Sequence, residues 1–470
     1  MSSTYHDLIT GSYEFPQDGF DREDGYLTFN DVSLSKLIKK YGTPFKLIYL
    51  PKIASQIRNA REFFHKAMKA HKYNAEYFFC YCTKSNHFDY ALHATLKENV
   101  QLETSSAFDI ELVKLLSEDD RIDRDIVLIH NGYKTSAYID GILSLHHSGF
   151  HNAITVLDSK NEFLRFAKMA PENLKELNIG IRIAIDEEPQ SPYFTSRLGV
   201  NPDEILSLYT EQIKGDERFI LKMVHFFIDT GIKDTIYYWR EFRKALQVFV
   251  SLKKICPDID SLNIGGGFPI QNSLDFQYDY QCMADQIILT IKDICDREDV
   301  EVPDIYTEFG KYTVGEAGAV VFEVLDQKVQ NSREKWYLLD NSLLNTIPDT
   351  WSISEEYMLL AINKWDRAYE IVHLGGISCD HSDHYNPEDM NKHSVLPSLA
   401  ETEEEPLYIG FFHTAAYQDA ISGYGGIKHC LIPSPKVIIV DKDEDGGLTD
   451  YLYREEQSSQ DMLRILGYNR

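Results

Sequence analysis

The stretch Phe78-Phe79-Cys80-Tyr81-Cys82-Thr83-Lys84-Ser85-Asn86 decides how the chain is read. Its first half is apolar and aromatic, the composition of a buried strand, and it ends on one lysine and a small polar pair before a helical pattern begins. A lysine so placed stands at the carboxyl end of a strand. In parallel α/β folds the loops leaving that edge converge on one mouth, where active sites are built. A desolvated lysine there can release its proton and attack a carbonyl. A lysine can equally end a strand and reach to water, and the rest of the chain has to decide between the two.

Working outward, seven further short apolar runs follow, at 100–104, 125–131, 153–159, 179–184, 221–229, 261–267 and 305–310. Helical periodicity fills the intervals, for example Ala107 to Leu116, Ile205 to Ile213, Trp239 to Ile255 and Met283 to Cys295. Eight strand–helix alternations are what an α/β fold of the (β/α)8, TIM-like barrel type requires, whereas a doubly wound sheet usually has fewer strands. Beyond about residue 320 the pattern changes to strands with glycine-bearing turns: Gly318 to Asp326, Trp336 to Leu339, Ile371 to Ser378, Leu407 to Phe412 and Lys436 to Val440. The expectation is a second, β-rich domain that the N-terminal segment joins. The expected division is 1–44, 45–319 and 320–470.

Composition bounds the function. A chain of 470 residues, 43% hydrophobic and 12% aromatic, can bury a large core. No stretch has the uninterrupted apolar length of a membrane span, so no membrane partner is expected. The start, Met1-Ser2-Ser3-Thr4-Tyr5-His6-Asp7, lacks a basic region followed by an apolar core, which points to the cytoplasm. Seven cysteines, odd in number and without zinc-like spacing, read as reduced thiols. With 74 acidic against 47 basic residues the net charge is −27, which argues against binding nucleic acid. The runs Glu401-Thr402-Glu403-Glu404-Glu405 and Asp441-Lys442-Asp443-Glu444-Asp445 carry much of the excess and read as solvated loops.

The carboxyl ends of the eight runs present Lys84, Glu103, Asn131, Asp158, Arg182, Asp229-Thr230, Gly265-Gly266-Gly267 and Glu308. Three successive glycines leave backbone N–H groups open to an anion such as phosphate, although such a run is also a common tight turn. Joined to a lysine on another strand, they suggest a ligand carrying an aldehyde and a phosphate. Pyridoxal phosphate fits, with the lysine as its imine partner and Glu308 facing the pyridine nitrogen. An ion pair between Glu308 and a barrel base is the plainer alternative.

Short motifs in consistent order make the resemblance specific: Tyr41-Gly42-Thr43-Pro44, Lys84-Ser85-Asn86, Asn131-Gly132-Tyr133-Lys134, Ile181-Arg182-Ile183-Ala184, Ser196-Arg197-Leu198-Gly199, Ile264-Gly265-Gly266-Gly267-Phe268, Glu308-Phe309-Gly310-Lys311 and Cys379-Asp380. On these the chain resembles the alanine-racemase-like (fold-type III) pyridoxal-phosphate decarboxylases, and within them the biosynthetic arginine decarboxylases. The run Ser342-Leu343-Leu344-Asn345-Thr346-Ile347-Pro348-Asp349-Thr350-Trp351 is similar to a segment of the arginine branch. The resemblance implies decarboxylation of a basic L-amino acid, arginine to agmatine in polyamine biosynthesis, with ornithine, lysine, diaminopimelate or carboxynorspermidine as alternative substrates. It implies that Lys84 bonds the cofactor and Glu308 pairs with the pyridine nitrogen. Gly265, Gly266, Gly267 and Tyr417 would hold the phosphate, and Arg182 would lie near the ring oxygen. Cys379, reaching in from the other subunit of a homodimer, would return a proton to the product. Asp380, with Asp383 close by, would bind the substrate's distal cation.

Departures accompany the likeness. Phe227 stands where relatives stack a histidine on the ring, so it can stack without hydrogen bonding. Thr230 takes the place of a phosphate-binding serine, next to Asp229 where a glycine is usual, and that acid is expected to point away or to bind substrate or a cation. Lys311 replaces an arginine of the phosphate cup, a point charge for a bidentate fork. Ala415-Ala416-Tyr417 replaces Gly-Ala-Tyr, and the chain is shorter than typical arginine decarboxylases, which carry an inserted helical domain. The run Cys379-Asp380-His381-Ser382-Asp383-His384 offers metal ligands, but its spacing matches neither a zinc knuckle nor a helical histidine pair, so no metal site is expected. Mg2+ has no support in the sequence. From another class, a catalytically inactive regulatory homologue that binds a partner protein is the competing function. Retention of Lys84, Glu308 and Cys379 together argues against it.

Overall fold

Eight parallel strands close into a barrel: β1 (Tyr77–Cys82), β2 (Gln101–Thr104), β3 (Leu128–His130), β4 (Ala153–Leu157), β5 (Leu177–Arg182), β6 (Phe219–His225), β7 (Ser261–Asn263) and β8 (Asp304–Glu308). Pairing of β8 with β1, Glu308 opposite Cys80, shuts the ring. The computed structural model describes residues 3–186, 194–385, 393–400 and 405–468. Glu401 to Glu404 of the acidic run lie outside the described residues. The chain divides into two compact units, one of residues 54–269 and 278–313, the other of residues 1–53, 270–277 and 314–470.

In the first unit each expected run overlaps one barrel strand, and β5, β6 and β8 begin one or two residues before the run. Cys80, Ile129, Ile154, Val156, Met223 and Tyr306 form one buried cluster of strand residues. Helices outside the ring begin where a polar side chain caps them. Ser106, Thr135, Ser159, Thr235 and Asp279 each accept a backbone N–H of the first turn, opening helices Ala107–Glu118, Ser136–His147, Lys160–Met169, Ile236–Lys253 and Tyr280–Glu298. The helix Ile236–Lys253 buries Tyr238, Phe242, Ala245, Leu246 and Phe249, the three-and-four spacing of one apolar stripe.

The second unit is built on a sheet of 10 strands among the described residues. Phe45–Tyr49, all five residues buried, runs antiparallel to Gly318–Gln330 on one side and parallel to Lys436–Lys442 on the other. The expected division put these residues with the barrel. Lys46 breaks their apolar pattern, and the structure buries it by pairing it with Asp419. The N-terminal residues belong to this unit, as expected. Thr4 forms a capping box at the head of helix Tyr5–Ser12, and Tyr5 meets Trp365 edge-on at 5.1 Å. Phe20 and Phe29 close on Phe412 at 5.0 and 5.2 Å. The acidic run 441–445 is part strand and part turn: Lys436–Lys442 and Leu448–Arg454 pair antiparallel, and Asp443 accepts the N–H of Asp445 and of Gly447. Among the described residues no helix is long and apolar enough to cross a membrane.

Candidate active site

One buried polar chain joins the carboxyl ends of the barrel strands. Lys84 lies in the single helical turn Thr83–Ser85 directly after β1, and its Nζ is 2.6 Å from Glu103 Oε2 on β2. Asn131, which follows β3, donates from Nδ2 to Glu103 Oε1 at 3.0 Å and to both oxygens of Glu308 at 2.9 Å. Asn263 at the end of β7 donates to Glu308 Oε1 at 2.6 Å. His225, the last residue of β6, sets Nε2 3.4 Å from Glu308 Oε2. Lys84 and Glu308 are therefore connected through Glu103 and Asn131, with the lysine side chain 42% exposed and Glu103 fully buried.

The two carboxylates are driven apart. Burial pushes the Glu103 carboxyl up, with Lys84 opposing and the negative charge of Glu308 adding to the rise. Burial acts on Glu308 in the same sense, but His225, Lys84 and Asn131 outweigh it and hold Glu308 at about 2. Glu308 is thus a carboxylate anion throughout the neutral range. Arg182, at the end of β5, is lowered by burial against the pull of Asp158, Glu308 and Glu103, and its guanidinium lies 5.3 Å from the centre of the Phe227 ring, a cation–π contact.

The triple glycine has two jobs, only one of which the sequence suggested. Gly265 (φ 69°) and Gly267 (φ 119°) occupy backbone regions that side chains disfavour. A Cβ at Gly266 would collide with the carbonyl oxygen of Glu308, and one at Gly267 would sit 2.8 Å from Gly231 Cα. The glycines therefore let the turn after β7 press against β8 and the loop after β6, where Ile232 N–H bonds the Gly267 carbonyl at 2.8 Å. The Gly265 N–H is taken by Asn263 Oδ1 at 2.8 Å, so it is not open to a ligand. The N–H groups of Gly266 and Gly267 meet no acceptor among the described residues. Thr230 is half-buried on the loop after β6, its neighbour Asp229 is exposed, and Lys311 opens the short helix Lys311–Val314.

This mouth carries buried polar atoms without hydrogen-bond partners among the described residues: Asn131 Oδ1, Asp158 Oδ2 and His225 Nδ1, the ring nitrogen turned away from Glu308. An unpartnered buried polar atom costs about 1–3 kcal/mol, so several around one carboxylate mark a place for a polar ligand. An amine, a glycine turn with bare N–H groups and an anionic carboxylate are the donor set that an aldehyde, a phosphate and a protonated ring nitrogen require. Pyridoxal phosphate fits these residues.

The remaining expected residues belong to the β-rich unit. Cys379 Sγ lies 3.5 Å from Cys430 Sγ, and this contact, with Asp380 nearby, pushes the Cys379 thiol up. Asp380 pairs with His429 at 3.1 Å, and Tyr417 (φ 67°) precedes helix Gln418–Ser422. Asp383 departs from expectation. It is buried, its Oδ1 accepts the Ser342 hydroxyl at 3.1 Å and the Leu344 N–H at 2.9 Å, and its Oδ2 accepts the Ser378 N–H at 3.0 Å. Those bonds tie the 378–383 loop to the 342–344 turn, so Asp383 is a structural carboxylate rather than an open anion for a substrate cation. Sequence reasoning missed His225, whose signal was a lone histidine ending an apolar strand, and the His429-Cys430 turn, which gave no signal.

A parallel barrel with lysine, asparagine and carboxylate groups at its strand ends, in a chain that also forms a β-rich unit, is the architecture of fold-type III pyridoxal-phosphate enzymes. The family model described as "Pyridoxal-dependent decarboxylase, pyridoxal binding domain" matches residues 54–315, and the chain belongs to that family. A biosynthetic arginine decarboxylase of Prochlorococcus marinus (strain AS9601) is 22% identical over 563 aligned positions, covering 94% of this chain and 86% of the relative. The structure of the biosynthetic arginine decarboxylase of Campylobacter jejuni superposes with a TM-score of 0.79 at 19% identity, covering 99% of this chain and 90% of that one. Diaminopimelate decarboxylase from M. jannaschii, solved with L-lysine, gives 0.78 at 20% identity, covering 95% and 97%.

Proposed function

We propose that the protein decarboxylates L-arginine to agmatine, a step of polyamine biosynthesis, as a cytoplasmic homodimer with shared active sites. The observation that carries the reading is the chain Lys84–Glu103–Asn131–Glu308, which joins an amine to an anionic carboxylate across the barrel mouth. The names of the sequence relatives and the Ser342 to Trp351 segment support arginine among basic substrates. Diaminopimelate is the second reading, supported by the neighbour that holds L-lysine.

Lys84, Arg182, Phe227, Thr230, Gly266, Gly267, Glu308, Lys311 and Tyr417 are assigned to the cofactor, while Gly265, its N–H taken by Asn263, shapes the turn. Bound pyridoxal phosphate supplies the electron sink for the pair left when the bond between Cα and the carboxylate breaks. Glu103 orients the Lys84 amine and balances its charge. Glu308, ionised at neutral pH, would favour a proton on the ring nitrogen of a bound cofactor. Cys379, its thiol pushed up, keeps a proton at Sγ to deliver to the carbon that lost carbon dioxide. Asp380 is the acid left to meet the distal cation of the substrate, because Asp383 is occupied by its own loop. No divalent ion is assigned a role.

The test is carbon dioxide release measured across arginine, ornithine, lysine, diaminopimelate and carboxynorspermidine. A preference for any of these over arginine overturns the substrate assignment. Purified protein should be yellow, and borohydride should trap the cofactor on Lys84. A protein that pyridoxal phosphate cannot tint would be a binding homologue instead.

A further inference from the structure

Cys379 and Cys430 stand on loops 51 residues apart, yet their sulfur atoms are 3.5 Å from each other and both residues are exposed. Bonds that involve neither sulfur hold the two loops together. Asp380 Oδ2 lies 3.1 Å from His429 Nε2. Asn345 clamps the backbone of His429 in both directions, donating to its carbonyl at 3.0 Å and accepting its N–H at 3.2 Å. Asp383, through Ser378 and Leu344, fixes the cysteine loop to the same 342–345 segment. The thiols are therefore paired by their surroundings, and closing to a bond length of about 2.05 Å asks for an approach of only about 1.5 Å.

The geometry points to Cys379 and Cys430 as a reversible disulfide site, closed by a small-molecule disulfide of the glutathione class. One protein thiolate attacks a sulfur of the oxidised molecule, forming a mixed disulfide and releasing one small thiol. The second protein thiolate then attacks the protein sulfur of that mixed disulfide, forming the Cys379–Cys430 bond and releasing the second small thiol. Two protein thiols lose two electrons and two protons, and one small disulfide becomes two thiols. Held this close, the second step is intramolecular and outruns capture of another small molecule. Cys80, Cys82, Cys256 and Cys295 are buried, while Cys282 is exposed on helix Tyr280–Glu298 of the barrel unit and serves as an internal control. The consequence for activity rests on the assignment of Cys379 as proton donor, whereas the disulfide site does not.

The experiment treats the full chain with oxidised glutathione, alkylates the remaining thiols and maps tryptic peptides by mass spectrometry. Cleavage after Lys428 separates the two cysteines into different peptides. The expected product is a Cys379–Cys430 cross-linked pair that dithiothreitol dissolves, with Cys282 carrying a separate adduct. Cys430→Ser should abolish the cross-link and leave an adduct on Cys379. Cys430→Asn, suited to the left-handed φ of 55° at that position, should do the same. Separate adducts or free thiols at both positions, under conditions where Cys282 has reacted, overturn the site. Decarboxylation should fall in step with the cross-link and return on reduction. Cross-linking without loss of activity upholds the site and removes Cys379 from the proton-donor role.

Discussion

Replacing His225 by phenylalanine isolates what keeps Glu308 charged. The ordinary value of that carboxyl is 4.5, and in the barrel it is held at about 2 although burial alone would raise it. At 1.36 kcal/mol per pKa unit the net shift corresponds to about 3 kcal/mol, what remains after His225, Lys84 and Asn131 together have overcome the rise from burial. His225 is the first of the lowering groups, so His225→Phe should cost roughly 1–3 kcal/mol near neutral pH. The sign follows from linkage. A depressed carboxyl stabilises the fold fully above its unfolded value and loses that contribution as pH falls through the folded one. The gap between wild type and variant should therefore be widest in the neutral range. It should shrink as pH falls below about 4.5 toward 2. Urea unfolding of the barrel at a series of pH values measures it. A second readout is pyridoxal phosphate affinity followed by absorbance, which in the variant should weaken at a higher pH than in the wild type. Equal unfolding midpoints and equal affinity profiles at every pH would refute the role given to His225.

Lys84→Ala should abolish borohydride trapping and lower decarboxylation by roughly 10²–10⁴-fold or more, read by carbon dioxide release. Gly266→Ala drives a methyl into the Glu308 carbonyl and should destabilise by about 1–3 kcal/mol while weakening cofactor affinity, both measurable by denaturation with and without pyridoxal phosphate. Asp383→Ala strands the Leu344 and Ser378 N–H groups and should cost about 1–3 kcal/mol, seen as a lowered thermal midpoint. Asp380→Ala, by contrast, should raise the substrate KM with little change in stability.

The barrel was legible because its strands are short, β-branched and separated by helices of regular period. The strand Phe45–Tyr49 was not, since Lys46 imitates a break and only Asp419, far away in sequence, accounts for its burial. The mouth residues could be named from strand ends alone, but their wiring could not. Nothing in the sequence says that Asn131 bridges Glu103 and Glu308, or that His225 turns toward the same carboxylate. Asp380 and Asp383 look alike in a run of acids and histidines, and only the loop's folding back onto Ser342 and Leu344 separates their jobs. The His429-Cys430 turn was invisible for a similar reason: Asn345, not any local pattern, fixes where it lies.

Glu308 is gripped by residues at the ends of three other strands, Asn131, His225 and Asn263. A carboxylate held this way acts as a keystone: the group most needed for chemistry is also the one on which the rim of the ring converges. Drift at any of the three supporting positions is then felt by the other two, so substitutions there should be tolerated as sets and penalised singly.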